Sequence, residues 1–336
     1  MRTRLIAFVL CVCLALPLLL LGCDSAGQPS APTPTSHVVT FYVDGEVYEQ
    51  RTVPHGSTVS PPAEPQKNNL LFDAWTSAQG GGYEYDFSVA VKAPINLYAS
   101  FIPDAVSITN QITTSAIRAV VTVHNVSYNE QKFLGITIGR KDVSQTNGSG
   151  VIIRVDGNTA YLLTNCHVAA TEDGRTHSEL SVTDYRGNTY TASIWKASSA
   201  PKAIAPAYDL ALLVFRFDTE NPLAALELAP ADPVIGDHLV ALGQPKGQTN
   251  AITYGRAADY RKITLSDTSV SQSDVRFDVL QHTAFTDGGS SGGPLLNTDL
   301  QVVGINYAGS HSEQFSAGYS IPVSRVREFL NNYGFR

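Results

Sequence analysis

From about Asp104 to Arg336 the chain is a succession of short runs rich in Val, Ile, Leu and Thr, each closed off by turn-forming residues. Residues 119–126, 149–155, 159–164, 210–217, 239–242, 275–281 and 301–307 are examples. Runs of this length and β-branched content read as strands. Few stretches carry a helical period; the exceptions are 108–117 and 323–331, the latter near the C-terminus. Many strands and few helices over about 230 residues predict an all-β sandwich or a pair of barrels.

The length of 336 residues suggests two or three domains. Hydrophobic residues make up 43% and charged residues 16%, which supplies a core and leaves too little charge for disorder. The formal net charge is −7; Arg2 and Arg4 are the only charges in 1–22, so the remainder sets 21 basic against 30 acidic residues. An acidic chain without a Lys/Arg run is a poor nucleic-acid binder, and no such partner is expected.

Residues 1–22 do not read as part of the fold. Arg2 and Arg4 precede an apolar run, 5–21, which has the order of a secretory signal and is marginal in length for a membrane span. The run ends in Leu20-Leu21-Gly22-Cys23, which resembles the bacterial lipobox. The resemblance implies cleavage before Cys23 and lipidation of its sulfur, and so a lipid-anchored protein facing the extracytoplasmic side of the cell membrane. Two or three acyl chains hold a protein on a bilayer far better than one. Cys11 and Cys13 fall in the removed segment, which leaves Cys166 alone and no disulfide expected. Residues 23–36 are rich in Pro, Ser and Thr and read as a tether; extended at about 3.1 Å per residue, it spans roughly 40 Å.

Residues 37–103 have β character: two apolar runs flank Asp44-Gly45 as in a hairpin, and 70–75 and 95–101 supply further strands. The order VTFYVDG, HGSTVSPPAEP, FDAWTS, YDFSVAVKAPINLYASF resembles the surface repeat of bacterial internalins. The resemblance implies a small β-grasp-like module that acts as a spacer or contacts a surface partner.

The chemistry centres on Asp287-Gly-Gly-Ser-Ser-Gly-Gly-Pro-Leu295. A nucleophilic serine needs a tight turn and backbone N–H groups aimed at the developing oxyanion, and the flanking glycines permit both. If Ser291 attacks, its own N–H and that of Gly289 form the oxyanion hole by the general triad template. His167 follows the apolar run 159–163, so its imidazole sits at a strand end as a general base. Asp209 opens a buried-strand pattern, Leu210 to Phe215, where an unpartnered carboxylate is costly; a hydrogen bond from His167 Nδ1 supplies the partner.

Together these stretches resemble the chymotrypsin clan of serine proteases, most nearly the bacterial Deg/Htr type. The matching segments are GSGVII (148–153), YLLTNCHVA (161–169), DLALLVF (209–215), LQHTAFTDGGSSGGPLLN (280–297), VVGINYA (302–308) and GYSIPVSRV (318–326), in family order. The resemblance implies two six-stranded antiparallel β-barrels over 104–336, ending in a C-terminal helix. It assigns His167 as base, Asp209 as orienter, Ser291 as nucleophile and Gly289 as second oxyanion donor. It draws the S1 wall from 284–286 and 306–309, hence Phe285, Asn306, Tyr307 and Ala308. No carboxylate lies in those stretches, so a small or medium apolar P1 residue is expected. The substrates implied are proteins or peptides, with no metal and no cofactor. A PDZ domain, usual after the protease in that family, is not expected before Arg336.

Other readings exist. Gly289-x-Ser291-x-Gly293 also fits a nucleophile elbow, but Pro294 and a strand follow the serine instead of a helix. Ser290 is a second candidate nucleophile with worse glycine placement. Cys166 reads as a small packed side chain. His37, His55, His124, His177, His238, His282 and His311 show no metal-binding spacing. Asp287 either caps its turn or faces S1. An inactive protease fold that binds without cutting, as a surface adhesion module, is the rival function.

Overall fold

The computed structural model describes residues 35–336 except 81, 199, 219, 221, 244–250, 264–272 and 313–314. Cys23, the apolar run and most of the tether lie outside the described residues.

The first sheet is built from β1 (Ser36–Val43), β2 (Glu46–Pro54), β3 (Leu70–Thr76) and β4 (Ile95–Pro103). Asp44 and Gly45 turn β1 into β2 with φ of 52° and 85°, the left-handed pair that a type I′ hairpin requires. The strand order is β2-β1-β4-β3 with the central pair parallel, the order of a β-grasp sheet. Val39 and Phe41 of β1 point inward, two residues apart, onto Leu97 and Trp75. Pro61, Pro62 and Pro65 lie in the 55–69 connection, which forms no strand; proline has no N–H to give a ladder.

Helix α1 (Ala105–Thr114) follows, three residues earlier than its apolar period predicts. Asp104 starts it by accepting the Ser107 N–H at 2.9 Å, and the Ser115 hydroxyl closes it on the Gln111 carbonyl. A single 3-10 turn leads into the first barrel: β5 (Val120–Phe133), β6 (Ile136–Asp156), β7 (Thr159–Thr164), β8 (His177–Thr183), β9 (Thr189–Ile194), the two-residue β10 (Ile204–Ala205) and β11 (Leu210–Arg216). They run β10-β11-β7-β6-β5-β8-β9, and pairing of β11 with β9 closes six of them into a ring. The second barrel closes as β12-β13-β14-β17-β16-β15, from β12 (His238–Gly243), β13 (Ala251–Arg261), β14 (Val279–His282), β15 (Pro294–Leu296), β16 (Val302–Ser312) and β17 (Phe315–Pro322). Sequence places the start of β14 at 275, but the strand begins at Val279, where Arg261 of β13 supplies its first partner.

Each barrel has a core of its own, and the largest apolar cluster lies between them. Ile108 and Ile112 of α1 join it, with Val326, Phe329 and Leu330 of the C-terminal helix α3 (Val323–Asn332). These helices seal the seam between the barrels. The first sheet docks on the second barrel: Asn69 donates to the Thr298 carbonyl at 2.7 Å, and His238 Nε2 to the Phe101 carbonyl at 3.2 Å.

Candidate active site

Strands β7 and β11 pair antiparallel, with Thr164 opposite Ala211. That register sets the chain just past the end of β7 beside the chain just before β11. His167 sits there in a one-turn helix, α2 (Cys166–Ala169), and Asp209 is the residue that precedes β11. The Asp209 carboxylate is fully buried and is held by two donors of one residue. Its Oδ2 lies 2.6 Å from His167 Nδ1, and its Oδ1 accepts the His167 backbone N–H at 2.9 Å. The pairing fixes the ring tautomer, since a carboxylate only accepts: Nδ1 carries the proton and Nε2 is left to the cleft. Asp209 has φ +46°, a left-handed conformation that aspartate tolerates better than most residues. Asn165 holds that turn by donating to the Asp209 carbonyl at 2.9 Å.

Ser291 reaches the same cleft from the second barrel, on the loop between β14 and β15. A cavity of about 220 Å³ is lined by His167, Ser291, Ser290, Thr286, Asn306, Tyr307 and their neighbours. Among the described residues, the N–H groups of Gly289 and Ser291 and the Ser291 hydroxyl have no hydrogen-bond partner. Ser290 is spent on the loop itself, its N–H bonded to the Asp287 carbonyl at 2.9 Å and its hydroxyl taking the Asp287 N–H at 3.2 Å. Two glycines are obligatory. Gly289 has φ +96°. Gly292 has φ +86°, and a Cβ there would meet the Ser149 carbonyl at 2.1 Å.

What holds this loop comes partly from the first barrel. Ser149 of β6 donates its hydroxyl to the Gly289 carbonyl at 2.8 Å and its N–H to the Ser291 carbonyl at 2.8 Å. Thr164 then donates to the Ser149 carbonyl. Sequence reading missed Ser149 as a site residue, and its flanking glycines were the available signal. Asn306 brackets the loop from the other side, its carbonyl accepting from Gly292 and its N–H donating to the Gly293 carbonyl. The Asn306 Oδ1 accepts from Ser320, whose oxygen lies 3.1 Å from His282 Nε2. His282 is fully buried, and that burial lowers its pKa to about 4.

Asn306, Tyr307 and Ala308 line the cleft. Phe285 does not: Thr286 lies in the cleft wall, while Phe285 is 39% exposed and its carbonyl is tied to Thr253. Asp287 both caps its turn, through the Gly288 N–H at 2.7 Å, and lines the cleft. Burial, with the Asp209 charge adding to it, raises the Cys166 thiol pKa to about 12, so the thiol stays protonated and packed. Among the described residues, no three His, Cys, Asp or Glu side chains converge as metal ligands.

Residues 148–305 match the trypsin-like peptidase domain family, and residues 37–100 match the Listeria-Bacteroides repeat domain. The chain is 34% identical over 192 residues to "Serine protease HTRA2, mitochondrial" of Bos taurus, covering 57% of this chain and 37% of that protein. It is 31% identical over 190 residues to "Serine protease Do-like HtrA" of Bacillus subtilis, covering 56% of this chain and 39% of that protein. The chain thus spans well under half the length of these relatives. In fold it resembles a substituted form of the HtrA-type protease AlgW with decapeptide, at 23% identity and a TM-score of 0.50, covering 68% of each chain.

Proposed function

We propose that the protein is a membrane-tethered serine endopeptidase acting outside the cytoplasm, with Ser291 as nucleophile, His167 as general base and Asp209 as its orienting carboxylate. The observation that carries this reading is the buried Asp209 carboxylate gripping His167 at both Nδ1 and the backbone, beside a serine loop with two unsatisfied N–H groups. In the proposed reaction, Ser291 Oγ bonds to the substrate carbonyl carbon as its proton passes to His167 Nε2. The Gly289 and Ser291 N–H groups receive the oxyanion. His167 then gives that proton to the departing amine, leaving an acyl-enzyme. Water repeats the sequence to release the acid and restore the serine.

Residues 104–336 would form the protease domain and 37–103 a surface-repeat module. That module would serve as a spacer or meet a surface partner. Cys23 would be the lipidated residue, joined through 23–36. The cleft lining includes Thr286, Asn306, Tyr307 and Ala308, and Asp287 whose Oδ1 is taken by the Gly288 N–H; the P1 residue proposed for a protein or peptide substrate is small or medium and apolar, set against Tyr307 and Ala308.

The test is hydrolysis of casein by the full chain, with covalent labelling by a fluorophosphonate probe. Ser291→Ala should lose all labelling and lower kcat on the order of 10⁶-fold. Labelling that survives in Ser291→Ala would move the nucleophile elsewhere. A folded wild-type protein that neither cleaves nor labels would favour the binding-only reading. Lipidation is checked by palmitate incorporation, which Cys23→Ala should abolish.

A further inference from the structure

Strands β5 and β6 run well past the barrel to which they belong. β8 supports β5 only as far as Tyr128, opposite His177; beyond it, residues 129–141 pair only with each other as a free two-stranded ribbon. Its tip is apolar and bare: Phe133, Leu134, Ile136 and Ile138 are each between 59% and 86% exposed. Leu134 and Gly135 form the turn, with φ of 48° and 83°. Such a turn favours Asn-Gly or Asp-Gly, and left-handed backbone is disfavoured for leucine. The chain therefore accepts strain to hold the most exposed large aliphatic side chain among the described residues at the very end of a projection. Exposed apolar clusters of this kind mark contact surfaces.

We propose that this tip is a membrane contact which dips into the lipid interface beside the chain's own anchor. Three observations favour lipid over a second protein chain. The surface is a narrow convex point, and four side chains fall short of the ~800 Å² per partner that a standard protein interface buries. Arg140 and Lys141 stand at its base, at headgroup level for a tip immersed in acyl chains, and Lys132 flanks the turn; among the described residues Lys132 pairs with Glu130 and Arg140 with Glu179, while Lys141 has no ion pair. Finally, the chain outside the described residues holds the apolar run 5–21 and Cys23, which would keep lipid within reach of the tether. The location of the lipid rests on the tethering reading above; the apolar tip does not.

The test uses the full chain reconstituted in vesicles of phosphatidylcholine and phosphatidylglycerol at 7:3, with brominated acyl chains as quenchers. Leu134→Trp is compared with Val234→Trp, a position 71% exposed on a loop of the second barrel. Thermal unfolding of both variants confirms that they are folded. Tryptophan emission from Leu134→Trp should be quenched at least twofold more than that from Val234→Trp. Equal quenching in protein that floats with the vesicles overturns the tip contact and leaves the tether intact. Vesicles that float without protein overturn both. A lipid-independent blue shift of Leu134→Trp that grows with protein concentration assigns the tip to contact between copies, and also overturns the proposal.

Discussion

Two buried ionisable side chains do different jobs in this molecule. The Asp209 charge is matched by donors of a single residue, so its effect is orientation: it sets which nitrogen of His167 faces the cleft. Asp209→Asn should preserve packing, yet it can present an N–H where Nδ1 needs an acceptor and so favours the wrong tautomer. We expect kcat to fall about 10⁴-fold with KM little changed, read from steady-state cleavage of a peptide substrate. His282 is neutral in the folded protein, and its pKa is about 4 against an ordinary 6.5. Between those values the unfolded chain binds more protons than the folded one. The stability associated with His282 is therefore complete above pH 6.5 and is lost as pH falls toward 4. Wild type should lose about 3 kcal/mol more than His282→Gln between pH 7 and pH 4. Denaturant unfolding at both values checks this, and parallel acid losses would contradict it.

At the level of elements, the site depends on pairing across the two barrels. The antiparallel register of β7 and β11 presents His167 to Asp209, and Ser149 of β6 ties the first barrel to the Ser291 loop of the second. Ser149→Ala keeps the backbone bond to Ser291 and removes the hydroxyl bond to Gly289. The expected cost in stability is about 1 kcal/mol, with a lower kcat because the proposed oxyanion donors lose a constraint. A KM-against-kcat comparison separates this from general damage: a loss confined to KM would mean that Ser149 acts elsewhere. These dependencies were hard to read in the chain. Gly148-Ser149-Gly150 signals a close backbone approach, but not which loop approaches. The ribbon beyond Tyr128 was equally hidden, because Ile136 and Ile138 resemble an ordinary strand until the missing neighbours are known.

For the molecule as a whole, α3 and the final residues act as the clasp of the two barrels. Val326, Phe329, Leu330 and Phe335 are buried in the cluster between them, and Arg154 of β6 lies over the Phe335 ring while bonding the Arg336 carbonyl. At about 1.5–3 kcal/mol per buried side chain, their loss rivals the ~5–15 kcal/mol that holds a domain together. A chain truncated after Pro322 should therefore fail to show a cooperative thermal transition in calorimetry. The alternation of Val, Ile and Leu with turn residues was enough to determine strands, the all-β class and the Asp44-Gly45 hairpin, because side-chain period and turn chemistry are local. The glycines around Ser291 and the carboxylate at the head of β11 likewise pointed to the residues that meet in the cleft, since each local pattern is costly without a purpose. Tertiary structure alone decided the rest. Phe285 lies outside the cleft lining, Asp287 both caps its turn and lines the cleft, and Ser149, Asn306 and His282 became supports of the site. Those outcomes depend on which segments meet across a closed barrel, and such contacts between residues far apart in the chain leave no period in the sequence.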